Sequence, residues 1–167
     1  MIIFDSSTLI LVAKVELLDL FLASIRLKVA IPEEVERECC GVKKTLDELI
    51  IQKALDESRI RVMAVSNKKL IAKLQADFNL GAGEAAAIAL ALKQQERLLG
   101  VDDKNAINAC KLLGIGFTTA LGILLRSREK ELIDRGDALS KLAALARYGR
   151  YKDTIVEEAR LKLGAKQ

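Results

Sequence analysis

Short apolar runs alternate along this chain with amphipathic stretches of helical period, and that alternation decides its fold class. Ile2-Ile3-Phe4 reads as a short strand ending at Asp5. Ser6-Ser7-Thr8 then offers hydroxyls that cap helices, ahead of a helical run from Leu9 to Ala13. Val15 to Ile25 carries Leu17, Leu18, Phe21 and Leu22 at helical spacing. Lys28-Val29-Ala30-Ile31 is a second strand, with Pro32 expected at the first position of a helix over 33–38. Thr45–Glu57 and Asn67–Phe78 read as helices, with a strand at Arg61–Val65 between them. A Gly81-Ala82-Gly83 break precedes an alanine-rich helix from Glu84 to about Gln95. Leu98–Val101 reads as a strand ending at Asp102-Asp103, Asn105–Leu113 as a helix, and Gly116-Phe117 as the lead into a helix from Thr118. A basic helical part from about residue 129 includes Ala138–Ala146 and Thr154–Leu163. Strands alternating with helices imply a parallel sheet covered on both faces, in one doubly wound α/β domain over residues 1–167.

Composition then removes whole classes of chemistry. The chain contains no histidine, so Ser-His-Asp and Cys-His catalysis, His-ligated zinc and imidazole acid–base chemistry are excluded. Its 3 cysteines, of which Cys39 and Cys40 are adjacent, form neither a disulfide framework nor a four-ligand zinc site, and read as reduced thiols. No apolar run reaches membrane-spanning length, and the opening MIIFDSSTLI lacks the basic start and cleavage pattern of a signal peptide. The expected location is the cytoplasm, without a membrane partner. The net charge of +4 is compatible with a nucleic-acid partner without requiring one.

What remains is carboxylate chemistry, and the acids fall at informative places. Asp5 ends the first strand and Asp102-Asp103 a later one, and open parallel sheets bind ligands beyond the carboxyl ends of their strands. Glu84 lies in the first turn of a helix after a glycine break, where an acid is favoured by the helix dipole. Glu38 follows the second strand, one turn after Glu34 on the same face. Taken singly, Asp5 reads equally well as a helix cap, Glu84 as a dipole partner and Glu38 as a solvated charge. Gathered together, they would repel unless a cation neutralised them, and hard oxygen donors without His or Cys suit Mg²⁺ or Mn²⁺. Such an ion, singly or in a pair, suits phosphoryl chemistry.

These residues stand in an order that resembles PIN domains. Ile2-Ile3-Phe4-Asp5-Ser6-Ser7-Thr8-Leu9-Ile10 is similar to the family's opening strand, and Ile31-Pro32 with Val35 and Glu38 to its I-P-x-x-V-x-x-E element. Gly83-Glu84-Ala85-Ala86-Ala87-Ile88-Ala89-Leu90-Ala91 resembles the G-E-A-x-A-I-x-L-A helix of a prokaryotic subgroup. Leu98 to Lys104 is similar to its L-L-I-D-D strand end, and Thr118 to Leu124 to its G-T-x-G-L-L segment. The similarity runs to about Arg128 and continues more weakly through the basic tail. It implies a three-layer αβα fold with a mostly parallel sheet, Mg²⁺- or Mn²⁺-dependent cleavage of RNA, frequent dimers, and in VapC-type members a toxin role beside a small antitoxin protein. Carried over by position, Asp5, Glu38, Glu84 and Asp103 are the metal-site acids, with Asp102 competing for the last place. Ser7 and Thr118 become supporting or phosphate-contacting hydroxyls. Thr118-Thr119-Ala120 departs from the usual Gly-Thr-x, which leaves the hydroxyl's position open.

Other readings have less support. Gly81-x-Gly83-x-x-Ala86 mimics a dinucleotide fingerprint, but a helical segment precedes it where a strand is required. A haloacid-dehalogenase-like phosphatase needs an acid where Ser7 stands. The rival from a different class is a PIN-like module that binds RNA or protein without cutting. In either case Arg126, Arg128, Lys130, Arg147, Arg150 and Lys152 are candidate phosphate contacts, and Tyr148 and Tyr151 candidate base-stacking rings.

Overall fold

The structure is a computed structural model that describes residues 1–41, 45–94 and 98–164. Its elements run β1 (Ile2–Phe4), α1 (Ser6–Lys14), α2 (Leu18–Ser24), β2 (Val29–Pro32), α3 (Glu33–Cys39), α4 (Leu46–Asp56), β3 (Ile60–Met63), α5 (Lys68–Phe78), α6 (Ala82–Lys93), β4 (Leu98–Gly100), α7 (Lys104–Leu112), β5 (Gly116–Thr118), α8 (Ala120–Glu129), α9 (Arg135–Tyr148) and α10 (Asp153–Gly164). The strands form a 5-stranded sheet in the order β3-β2-β1-β4-β5, with every pairing parallel.

Three residues suffice for β1 because both of its faces are covered. Ile2 and Phe4 join the core under α1, α2, α4, α8, α9 and α10, while Ile3 joins the opposite core under α5, α6 and α7. This is the three-layer α/β arrangement that the alternation implies. The alanine-rich α6 is buried nearly all round, as a helix apolar on every side must be. Phe4 stacks edge-on against Phe21, with ring centroids 5.7 Å apart. It also lies against Gly100, where a Cβ would come within 2.4 Å of the ring.

Several boundaries differ from those read in the sequence. Of the helical pattern over 15–25 only Leu18–Ser24 is helix, because Glu16 takes a left-handed backbone (φ 55°) in the turn between α1 and α2. Asp5, not a hydroxyl residue, caps α1. Pro32 closes β2 and caps α3 with extended ψ instead of entering the helix. Gly116–Thr118 is an edge strand, and α8 begins only at Ala120, after Thr119 caps it. The expected end of α6 near Gln95 lies outside the described residues. Among the described residues no helix is long and apolar enough to cross a membrane. Cys39, Cys40 and Cys110 are free thiols, two of them buried.

Candidate functional site

The sheet order reverses direction between β1 and β4, with β2 and β3 laid down on one side and β5 on the other. A crevice opens at such a reversal, beyond the carboxyl ends of the two strands. The Asp5 N–H donates to the Gly100 carbonyl at 3.0 Å, so the pair stays zipped to its end. Asp5 follows β1 directly, and Asp102 and Asp103 follow β4 after Val101.

Each of the acids singled out in the sequence receives backbone N–H groups at the start of a helix. Asp5 Oδ1 accepts from Thr8 N–H at 2.8 Å, and its Oδ2 from the Ser7 hydroxyl at 3.0 Å. Glu38 Oε1 accepts from Gly83 N–H at 3.0 Å, in the first turn of α6, and Ser6 Oγ donates to its other oxygen. Glu84 reaches back to Gly81 N–H at 2.9 Å. Asp103 Oδ1 accepts from Asn105 N–H at 2.7 Å and Ala106 N–H at 3.1 Å, capping α7. Asp102 Oδ2 accepts from Ala120 N–H at 2.8 Å, at the start of α8, while Tyr151 donates its hydroxyl to Oδ1. The N-termini of α1, α6, α7 and α8 therefore supply partial positive charge to the five carboxylates.

The electrostatics divide the acids into two linked sets. Asp5 is 0% exposed, and burial pushes its carboxyl up to about 7, opposed by the bonds from Thr8 and Ser7 and reinforced by the charge of Asp102. Burial also raises Glu84, helped by the negative charges of Asp103 and Glu38 and opposed by the Gly81 N–H. Asp102 thus acts on Asp5, and Asp103 on Glu84.

Ser7 bonds Asp5, as expected of a supporting hydroxyl. The sequence reading missed its neighbour Ser6, which serves Glu38, and the Asp102 partner Tyr151. Thr118 ends β5, and its hydroxyl lies 3.5 Å from the Thr119 carbonyl, whereas the Thr119 hydroxyl accepts from Gly122 N–H. Tyr151 is half-buried and engaged with Asp102, so it is not an open stacking ring. Tyr148 is exposed, with Lys14 Nζ 5.3 Å and the Arg147 guanidinium 6.0 Å from its ring centre.

Among the described residues no three acidic or thiol side chains stand close enough to share one ion. The donor chemistry nonetheless fits a hard divalent cation. None of the five carboxylates pairs with Lys or Arg among the described residues. Each uses only one or two of its roughly four lone-pair positions in the bonds above.

Gly83 makes the Glu38 contact possible. The three atoms nearest to a Cβ built there all belong to the Glu38 carboxylate, the closest at 2.4 Å. Gly83→Ala is expected to push that flexible, exposed side chain aside and to weaken Mn²⁺ binding by about tenfold. The melting temperature should hold or rise, since Ala favours a helix over Gly. A fall of several degrees would instead make Gly83 a packing residue, and calorimetry distinguishes the two.

A family model described as a PIN domain matches residues 1–165. No curated protein matches the chain.

Proposed function

The chain belongs to the PIN-domain family, whose fold is of nuclease type, and from that premise we propose that it is a Mg²⁺- or Mn²⁺-dependent endoribonuclease. The observation that carries the reading is the pair of neighbouring strands at the reversal of the sheet, β1 and β4. Both run into carboxylates that no Lys or Arg among the described residues neutralises. Asp5, Glu38, Glu84 and Asp103 would hold the ion, with Asp102 in competition with Asp103. When bound, such an ion lowers the pKa of an attacking water and offsets charge developing on the phosphate. Ser6 and Ser7 hold the Glu38 and Asp5 carboxylates in place. Exposed Arg126, Lys130, Arg147, Arg150 and Lys152, with half-buried Arg128, would draw in the RNA backbone, and Thr118 would contact phosphate. Residues 1–167 are taken as one PIN-like domain, acting in the cytoplasm as a homodimer and as the toxin beside a small antitoxin protein.

A mixed pool of single-stranded RNA tests this. Cutting is expected with Mn²⁺, none with EDTA, and at least about a hundredfold less for Glu84→Gln, the upper range for residues that merely orient a metal ligand. One observation favours a second reading, a non-catalytic module that binds RNA or protein: every one of the acids is engaged by a helix N-terminus, and among the described residues no three converge. RNA retention without cutting by a folded, Mn²⁺-treated protein would establish it.

A further inference from the structure

Tyr151 lies in the segment between α9 and α10, 49 residues from Asp102, yet its hydroxyl donates to the Asp102 carboxylate. Its ring reaches that carboxylate over Gly149, where a Cβ would come within 2.4 Å of ring carbon Cε2 and 2.9 Å of the Leu145 carbonyl. The ring packs with the core that joins α8, α9 and α10 to β1. Toward Asp102 the phenol is the donor and the carboxylate oxygen the acceptor. The opposite oxygen of Asp102 is held by Ala120 N–H. One carboxylate is thus gripped from two sides, by the start of α8 and by the connection between the last two helices.

We propose that Tyr151 is a positioning residue that fixes the Asp102 carboxylate for a divalent cation, making the C-terminal helical pair part of the strand-end site. The inference rests on the metal-dependent reading above. It also gives the two adjacent aspartates separate tasks: Asp103 caps α7 beside Glu84, and Asp102 is aimed beside Asp5 by a side chain from outside the sheet.

Tyr151→Phe keeps the ring and removes only the bond, so packing alone predicts no change. Mn²⁺ titration by calorimetry on the full chain is expected to show about tenfold weaker binding than wild type, with little change in melting temperature. In an Asp102→Ala background the same substitution is expected to have no further effect, because the acceptor of its hydroxyl is gone. Gly149→Ala, which keeps the hydroxyl but displaces the ring, should weaken binding in the same direction. Wild-type affinity in Tyr151→Phe, or an equal loss in both backgrounds, overturns the inference and leaves the nuclease reading standing. No measurable Mn²⁺ binding by the wild-type protein overturns both.

Discussion

Asp5→Asn is expected to remove metal-dependent RNA cleavage by about a thousandfold or more, equivalent to about 4 kcal/mol of barrier, and to raise the melting temperature of the metal-free protein. The two effects have one origin. Asp5 is fully buried, and burial lifts its carboxyl from 3.8 to about 7. The folded protein therefore holds this proton more tightly than the unfolded chain does. Between about pH 4 and pH 7 the folded state binds more protons, so stability falls as pH rises through that window and levels off above it. The interval corresponds to about 4 kcal/mol against the ionised form, an upper bound on what the substitution can return. Asn still offers an oxygen to Thr8 N–H, though the Ser7 bond must rearrange. A gain of about 1–3 kcal/mol at pH 8, or several degrees for a chain of this size, is expected without divalent ions. It should shrink toward zero near pH 4. Mn²⁺ should reverse the order by stabilising only the protein that binds it. Melting curves at the two pH values, with and without Mn²⁺, check every part, and retained cleavage in Asp5→Asn would sink the assignment.

Gly100→Ala should be the most damaging single methyl in the sheet. The added carbon would lie 2.4 Å from Phe4 Cδ1 and 2.5 Å from Cε1. Phe4 cannot swing away, because it is fully buried and its ring abuts Phe21. Forcing apart two hydrogen-bonded central strands belongs at the top of the usual overpacking range, about 3 kcal/mol, or a loss of about 10 °C. Phe4→Leu should restore part of that in the double variant, since the two sites share one clash. An unchanged urea midpoint in Gly100→Ala would refute the close packing. At Gly83 the obstructed group is the exposed Glu38 carboxylate, so there the methyl is expected to change metal binding and not stability.

These two glycines also mark how far the sequence could be read. Apolar runs ending in Asp were legible because β1 and β4 are buried on both faces and lie in mid-sheet. Helix α6 was legible because its alanines cover every side. Gly116–Thr118 was not, since an edge strand with one apolar residue carries no periodic signal. The late start of α2 at Leu18 was hidden because the left-handed residue Glu16 leaves the spacing of Leu17, Leu18 and Phe21 helix-like. Between Ser6 and Ser7, adjacent in one turn, only the rotation of α1 decides which faces Glu38 and which Asp5. Asp102 and Asp103 look alike in the sequence, and only the fold shows that one accepts from the start of α8 and the other from the start of α7. Tyr151 had no local mark at all, because its partner is set by how the last helices close over α8.

The middle strand of the sheet precedes both of its neighbours along the chain. On the ribosome β1 emerges with neither neighbour present; β2 follows after about 25 residues and β4 only after about 95. At ordinary rates of synthesis roughly 5 to 20 s pass between the appearance of Asp5 and that of Asp102. The connection between the last two helices, which supplies Tyr151, arrives later still. For that interval a nascent chain carries Asp5 without the carboxylates that follow β4, so the strand-end cluster forms only late in synthesis.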